Sequence, residues 1–179
     1  MKDIKLYIGC AMPPIHRQHL QIIDDTWTLI DLYVDHPSVV KMDARKLEYP
    51  DKSVAKIYTS HLLEHFGLWE IEPILKEWNR VLVQGGQLIL NVPDMEWAAY
   101  ELISLQAGNP PKSPVFNTEK KIMEIFYGNQ DHEGEFHKSG YTVNSLTQYL
   151  ESCGFGDIKI KQIYEAHEMG CLISTAIKL

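Results

Sequence analysis

Cysteine is scarce in this chain: Cys10, Cys153 and Cys171 are the only three among 179 residues, an odd number at wide spacing. That pattern fits neither a secreted disulfide framework nor a paired-thiol metal site, and it points to a reducing, cytoplasmic setting. Positive charge is also short, with 17 Lys and Arg against 24 Asp and Glu and a formal net charge of −7. No run of Lys or Arg overrides that average, which argues against a surface that neutralises nucleic-acid phosphates. Long apolar runs are missing. The stretch Met1 to Ile8 lacks the hydrophobic segment of a signal peptide, and no window approaches the roughly 20 apolar residues of a membrane span. No internal repeat or low-complexity tract is visible. At 45% hydrophobic residues the chain can bury one core but is too short for two ordinary domains, so residues 1–179 are expected to form a single domain.

What is present is an alternation of short β-rich runs with helical stretches. Ile4 to Ile8, Trp27 to Leu32, Ser38 to Met42 and Val54 to Thr59 read as strands closed by Gly, Asp or Ser. From Leu68 to Leu82 apolar residues recur at helical spacing, with Trp69 and Trp78 assigned to the core face, and Gly85-Gly86 is expected to stop that helix before a strand from Gln87 to Val92. Asp94 is placed to cap a helix from Met95 to Gln106. An irregular insert of about 107–140 follows, with a helix expected over Thr118 to Phe126; an excursion of this length is commonly functional or mobile. Val143 to Cys153 reads as an amphipathic helix, and Ile158 to Tyr164 and Leu172 to Ile177 as an antiparallel pair. The expected fold is α/β: a Rossmann-like, open, mostly parallel seven-stranded sheet with a carboxyl-terminal antiparallel hairpin, binding ligands beyond the carboxyl ends of its strands.

Two strand ends carry the first chemical signal. Ile8-Gly9-Cys10-Ala11 ends the first strand and Asp31-Leu32 the second. In an open α/β sheet such a glycine admits a nucleoside close to the backbone, and such a carboxylate can accept both ribose hydroxyl protons. A loop glycine and an ordinary loop carboxylate explain the same residues equally well.

Further segments align with one known family: Met42-Asp43-Ala44 through Val54, Ser60-His61-Leu62-Leu63-Glu64-His65-Phe66, Glu77-Trp78-Asn79-Arg80-Val81-Leu82, Gly85-Gly86, Val92-Pro93-Asp94, Gly128 to His137, and Leu150 to Phe155. In order and spacing they resemble the type-11, class I methyltransferases that use S-adenosylmethionine (SAM). The resemblance implies that Ile8, Gly9, Cys10 and Ala11 pass beside the methionine part of SAM, that Asp31 and Leu32 hold the ribose, and that Asp43 and Ala44 face the adenine. Ser60 and His61 would lie near the transferable methyl. A sulfonium donor is already activated, so alignment and exclusion of water suffice and no nucleophile is needed. The family usually reads Gly-Cys-Gly where this chain reads Gly9-Cys10-Ala11. If that turn requires positive φ, alanine costs on the order of 1 kcal/mol, and Ala11→Gly is expected to tighten SAM binding.

Other residues invite rival readings. His61-Leu62-Leu63-Glu64-His65 spells H-x-x-E-H, a zinc-hydrolase pattern when it lies inside a long helix. Here it follows a strand and meets Gly67 at once, so no metal is expected. His132 and His137 are candidate general bases, along with His61, though polar loop residues explain them as well. Trp97 and Tyr100 could line an acceptor pocket, and His16 and His19 are expected on a solvated helix face. The reading that follows is a SAM-dependent methyltransferase with a small-molecule or carbohydrate-like acceptor, no nucleic-acid or membrane partner, and homodimerisation left open. Its main rival is a methyltransferase-fold binding module without cofactor. The Asn-Pro-Pro-Tyr type motif of nucleic-acid amino-methyltransferases is absent, since Ser60-His61-Leu62 stands in its place.

Overall fold

Leu6, Tyr7 and Ile8 are buried in succession, the pattern of a strand covered on both faces. That strand, β1 (Ile4–Ile8), lies in the interior of a seven-stranded sheet. The computed structural model describes residues 3–11, 23–164 and 170–179, so His16 and His19 lie outside the described residues. Strands β2 (Trp27–Asp31), β3 (Val39–Lys41), β4 (Val54–Ser60), β5 (Leu82–Pro93), β6 (Phe155–Ile163) and β7 (Cys171–Lys178) complete the sheet in the order β3-β2-β1-β4-β5-β7-β6. The first five are parallel, whereas β7 runs antiparallel between β5 and β6. The expected fold class is thus observed, and the strand order reverses between β1 and β4, the point at which open α/β sheets form a ligand crevice.

Helix α1 (Leu68–Val81) buries Ile71, Ile74, Leu75, Trp78 and Val81 against one sheet face. Trp69 does not join them. At roughly 100° per residue it projects about 160° from Ile71, and it is 80% exposed, its indole lying over Gly67. Gly85-Gly86 does not end this helix. α1 stops at Val81, β5 begins at Leu82, and the glycines sit in an irregularity of β5 where Leu82 pairs with Val54 and Gln87 already pairs with Lys56. The last carbonyls of α1 are met instead by Lys178, whose ammonium donates to Asn79 O at 2.6 Å and Leu82 O at 2.8 Å. A cation at a helix carboxyl end satisfies acceptors that the helix cannot.

Asp94 caps α2 (Met95–Gln106) as expected, accepting from the amides of Glu96 and Trp97. Its second oxygen accepts from Gln162 and Tyr164, so one fully buried carboxylate ties α2 to β6. Helix α3 (Glu119–Tyr127) packs on α2 through Ile122 and Ile125, and α4 (Val143–Ser152) joins α1 on the sheet through Leu146 and Leu150. Opposite them Tyr7, Cys10, Trp27, Tyr58 and Ile89 form a separate cluster. No helix among the described residues is long and apolar enough to cross a membrane.

Candidate functional site

The backbone turns sharply where β1 ends. Gly9 has φ +70°, and its amide donates to Ile30 O at 2.8 Å, drawing the loop onto β2. The positive φ favours glycine, and a Cβ there would also have to displace the Leu62 side chain, which lies 2.9 Å from its position. Ala11 follows with φ 56°, the left-handed geometry that its methyl group resists. Its amide donates to Asp31 Oδ2 at 3.1 Å, while Asp31 Oδ1 accepts from the amides of Tyr33 at 2.9 Å and Val34 at 3.3 Å. Among the described residues, three of the roughly four acceptor positions of this carboxylate are therefore committed to its own loops, leaving one on Oδ2.

Beyond these strand ends lies a cavity of about 330 Å³, within the roughly 300–1,000 Å³ of small-ligand sites. Ile8, Gly9, Asp31 and Leu32 form one side, Met42, Asp43, Ala44 and Arg45 another, and Leu62, His65 and Phe66 come from the turn after β4. His132, Gly134, Glu135 and Lys138 of the long excursion line it as well. The excursion is held there by backbone bonds from Lys138 and Ser139 to Glu64 O, at 2.7 and 3.1 Å.

Asp43 is tied up by a close neighbour. Arg45 donates to its carboxylate through Nε at 3.0 and 3.1 Å and through Nη2 at 2.7 Å, and bridges to Glu70 at 3.2 Å. These hydrogen bonds hold the Asp43 carboxyl below its ordinary value.

Six of the residues expected at the cofactor, Ile8, Gly9, Asp31, Leu32, Asp43 and Ala44, line the cavity; Cys10, Ala11, Ser60 and His61 are not in its wall. Cys10 points into the Tyr7-Tyr58 cluster on the far sheet face, and burial, with the Asp31 charge, pushes its thiol up to about 11. Ser60 is buried in the sheet, accepting from Asn91 Nδ2 at 3.1 Å. His61, with φ 51°, turns its Nδ1 to Glu64 at 3.2 Å and its Nε2 to Cys171 Sγ at 3.8 Å. The two aromatics considered for an acceptor pocket also lie elsewhere. Trp97 is buried edge-on to Phe116, and exposed Tyr100 carries the Lys112 ammonium 4.1 Å from its ring centroid.

His132 lines the cavity, but its Nδ1 accepts from Gly134 N at 3.1 Å and its Nε2 faces Glu135 at 3.5 Å. Both ring nitrogens of His132 are thus occupied within the excursion itself. His137 sits outside the cavity wall, and burial lowers its basicity despite a hydrogen bond to Ile125 O. The H-x-x-E-H sequence does not form a hydrolase helix: Leu63–His65 is a single 3-10 turn, which removes the one-turn stacking of His61 and His65 that such a site requires. The sequence alone does not assign Arg45, His65 or Glu70 to the cavity, and it offers His65 only within the H-x-x-E-H pattern. Of these, Arg45 had a local signal, since an Asp two residues earlier commonly accepts the backbone N–H, as Asp43 Oδ1 does here at 2.9 Å.

Residues 25–90 match the sequence model of a family described as Methyltransferase domain. No match is found among the curated proteins. Among solved structures, the chain is similar to 1,6-didemethyltoxoflavin-N1-methyltransferase of Burkholderia thailandensis, with bound 1,6-didemethyltoxoflavin and S-adenosylhomocysteine (TM-score 0.65, 14% identity, covering 98% of this chain and 70% of that one). It is similar to a SAM-dependent methyltransferase of Archaeoglobus fulgidus (TM-score 0.66, 16% identity, 98% and 86% covered). A SAM-dependent methyltransferase of Methanosarcina mazei shares the fold over 100% of this chain and 94% of its own (TM-score 0.64, 18% identity). The chain thus carries methyltransferase-domain sequence over residues 25–90 and, along nearly its whole length, shares the fold of these SAM-dependent methyltransferases.

Proposed function

We propose that the cavity at the ends of β1, β2 and β3 binds SAM and that the protein transfers its methyl group to a small-molecule or carbohydrate-like acceptor. The observation that carries this reading is the joint presence in one cavity wall of Gly9, at positive φ with the Leu62 side chain close against it, and the Asp31 carboxylate. Gly9 lets a ligand approach the backbone, and the remaining acceptor position on Asp31 Oδ2 suits one ribose hydroxyl. Ile8, Leu32, Met42, Leu62 and Phe66 offer apolar surface to an adenine. Because Asp43 is saturated by Arg45, its contact with the adenine amino group requires Arg45 to move aside.

When bound, SAM supplies a methyl group already activated on sulfonium. The residues of this chain would bind and orient it, and the segment 132–138 would exclude water from above. A small acceptor is supported by the acidic net charge, by the absence of an Asn-Pro-Pro-Tyr type motif after β4, and by the small molecule bound in the Burkholderia enzyme. The second reading, a module that has lost its cofactor, is favoured by the strained Ala11 and the engaged Asp43.

Calorimetric titration of the chain with SAM and S-adenosylhomocysteine tests both. Binding weakened at least tenfold by Asp31→Asn is expected, since loss of one charge-assisted hydrogen bond exceeds the roughly 1.4 kcal/mol that tenfold requires. Absence of binding at millimolar ligand supports the second reading, and binding indifferent to Asp31→Asn moves the cofactor elsewhere.

A further inference from the structure

The turn after β4 brings together groups that the proposed methyl transfer does not use. One ligand atom from each of Glu64, His65 and His137 lies within 4.8 Å of the other two. Glu64 is fully buried, and only one of its oxygens is satisfied: Oε1 faces His61 Nδ1 at 3.2 Å, whereas Oε2 has no hydrogen-bond partner among the described residues. A buried carboxylate oxygen left bare is costly, and such groups in native proteins generally have a ligand or a role.

Both imidazoles have one ring nitrogen engaged by a backbone carbonyl. His65 Nδ1 lies 3.2 Å from Phe136 O and His137 Nδ1 lies 2.8 Å from Ile125 O. A carbonyl only accepts, so each Nδ1 carries the proton and each Nε2 offers a lone pair. The rings meet edge to face, 5.0 Å between centroids. Histidines that bind metal characteristically donate their other ring N–H to a backbone carbonyl or carboxylate, which fixes tautomer and orientation.

We propose that Glu64, His65 and His137 form a site for one divalent transition-metal ion of the zinc class. Two neutral imidazole nitrogens and one carboxylate oxygen are a ligand set of zinc, with a fourth position left for water. The chelate joins segments that are distant in sequence. Glu64 and His65 belong to the turn beside the cavity, and His137 belongs to the excursion that lines it, so the ion clasps the excursion to the turn. This site differs from the H-x-x-E-H hydrolase pattern: His61 is not a ligand but supports Glu64, and the third ligand comes from far along the chain.

The test uses the full chain without a histidine tag, titrated with CoCl2 as a spectroscopic stand-in and with ZnCl2. The expected result is one equivalent of Co2+ giving the visible ligand-field absorption of a four- or five-coordinate site, displaced by Zn2+, with Zn2+ raising the Tm by several degrees. His137→Ala and Glu64→Gln should each weaken Zn2+ binding at least tenfold and abolish the Tm rise. His36→Ala, a histidine outside the excursion, the cavity wall and the ligand set, should retain both. Should either variant fail to fold, His65→Asn takes its place, with the same loss of Zn2+ binding expected. No Co2+ signal in the parent chain, or equal affinity in the parent and His137→Ala, overturns the site.

Discussion

Ala11 offers a measurable conflict between local chemistry and fold. At φ 56° an alanine pays the left-handed penalty, on the order of 1–2 kcal/mol for residues with a Cβ. Replacing it by glycine removes that cost but frees the unfolded chain, which takes back about 0.4–1 kcal/mol. The expected net effect of Ala11→Gly is a stabilisation of about 0.5–1 kcal/mol, or a rise in Tm of roughly 1–4 °C for a chain of this size. The effect on affinity is smaller. Ala11 donates its amide to Asp31 and lies outside the cavity wall, so relief of its strain acts on the fold more than on a ligand contact. The sequence alone points to a glycine that tightens binding, so the two expectations differ in the measured affinity. Thermal unfolding and calorimetric titration of both forms separate the two quantities. A loss of stability on Ala11→Gly would refute the strain argument, and a tenfold gain in affinity would show that the methyl group obstructs the ligand instead.

Three further outcomes are expected. The Glu77 carboxyl is held below its ordinary value of 4.5, chiefly by hydrogen bonds from Arg80. Its contribution to stability is therefore complete above that value and disappears as pH falls through the lowered one, so denaturant unfolding should show parent and Glu77→Gln stabilities converging in acid; a gap that is constant with pH refutes the assignment. Asp94→Ala removes the cap of α2 and the acceptor of Gln162 and Tyr164, and should cost about 2–3 kcal/mol in urea unfolding; a change below about 0.5 kcal/mol would mean that the helix start is held by other contacts. Burial raises the thiols of Cys10 and Cys153, so mass spectrometry after brief exposure of the native chain to a thiol reagent at neutral pH should find both unmodified; rapid labelling of either would contradict their burial.

The sheet was legible in the sequence because its strands announce themselves. Ile4 to Ile8 and Val54 to Ser60 are short apolar runs with clear ends, and the alternation with amphipathic helices leaves few topologies. Asp94 could be placed at its cap because the residue type and the start of the helical pattern coincide. The errors arose where periodicity was read too loosely. Trp69 is apolar and close to Ile71, yet its angle around the helix puts it in water. Gly85-Gly86 has the composition of a helix stop, but in β5 it absorbs extra residues opposite β4 while pairing resumes at Gln87.

At the site, the legible part ends where contacts become long-range. Gly9 and Asp31 are strand-end residues whose positions follow from the topology. The commitments of the Asp31 carboxylate to Tyr33, Val34 and Ala11 depend on two loops folding together, and no sequence spacing specifies them. His137 is the extreme case. It lies 73 positions after Glu64, in a segment with little periodicity, and reaches the turn after β4 because Gly128 bends the excursion back at φ +76°, where a Cβ would collide with the Glu135 carbonyl. That glycine is the one local clue to the return path, and it shows only that the chain turns. Where the chain goes is decided by the backbone bonds of Lys138 and Ser139 to Glu64 O, which fix the excursion beside the cavity and His137 beside His65. The same few bonds therefore build the cavity wall and gather the proposed metal ligands, so loosening the excursion should disturb both sites together.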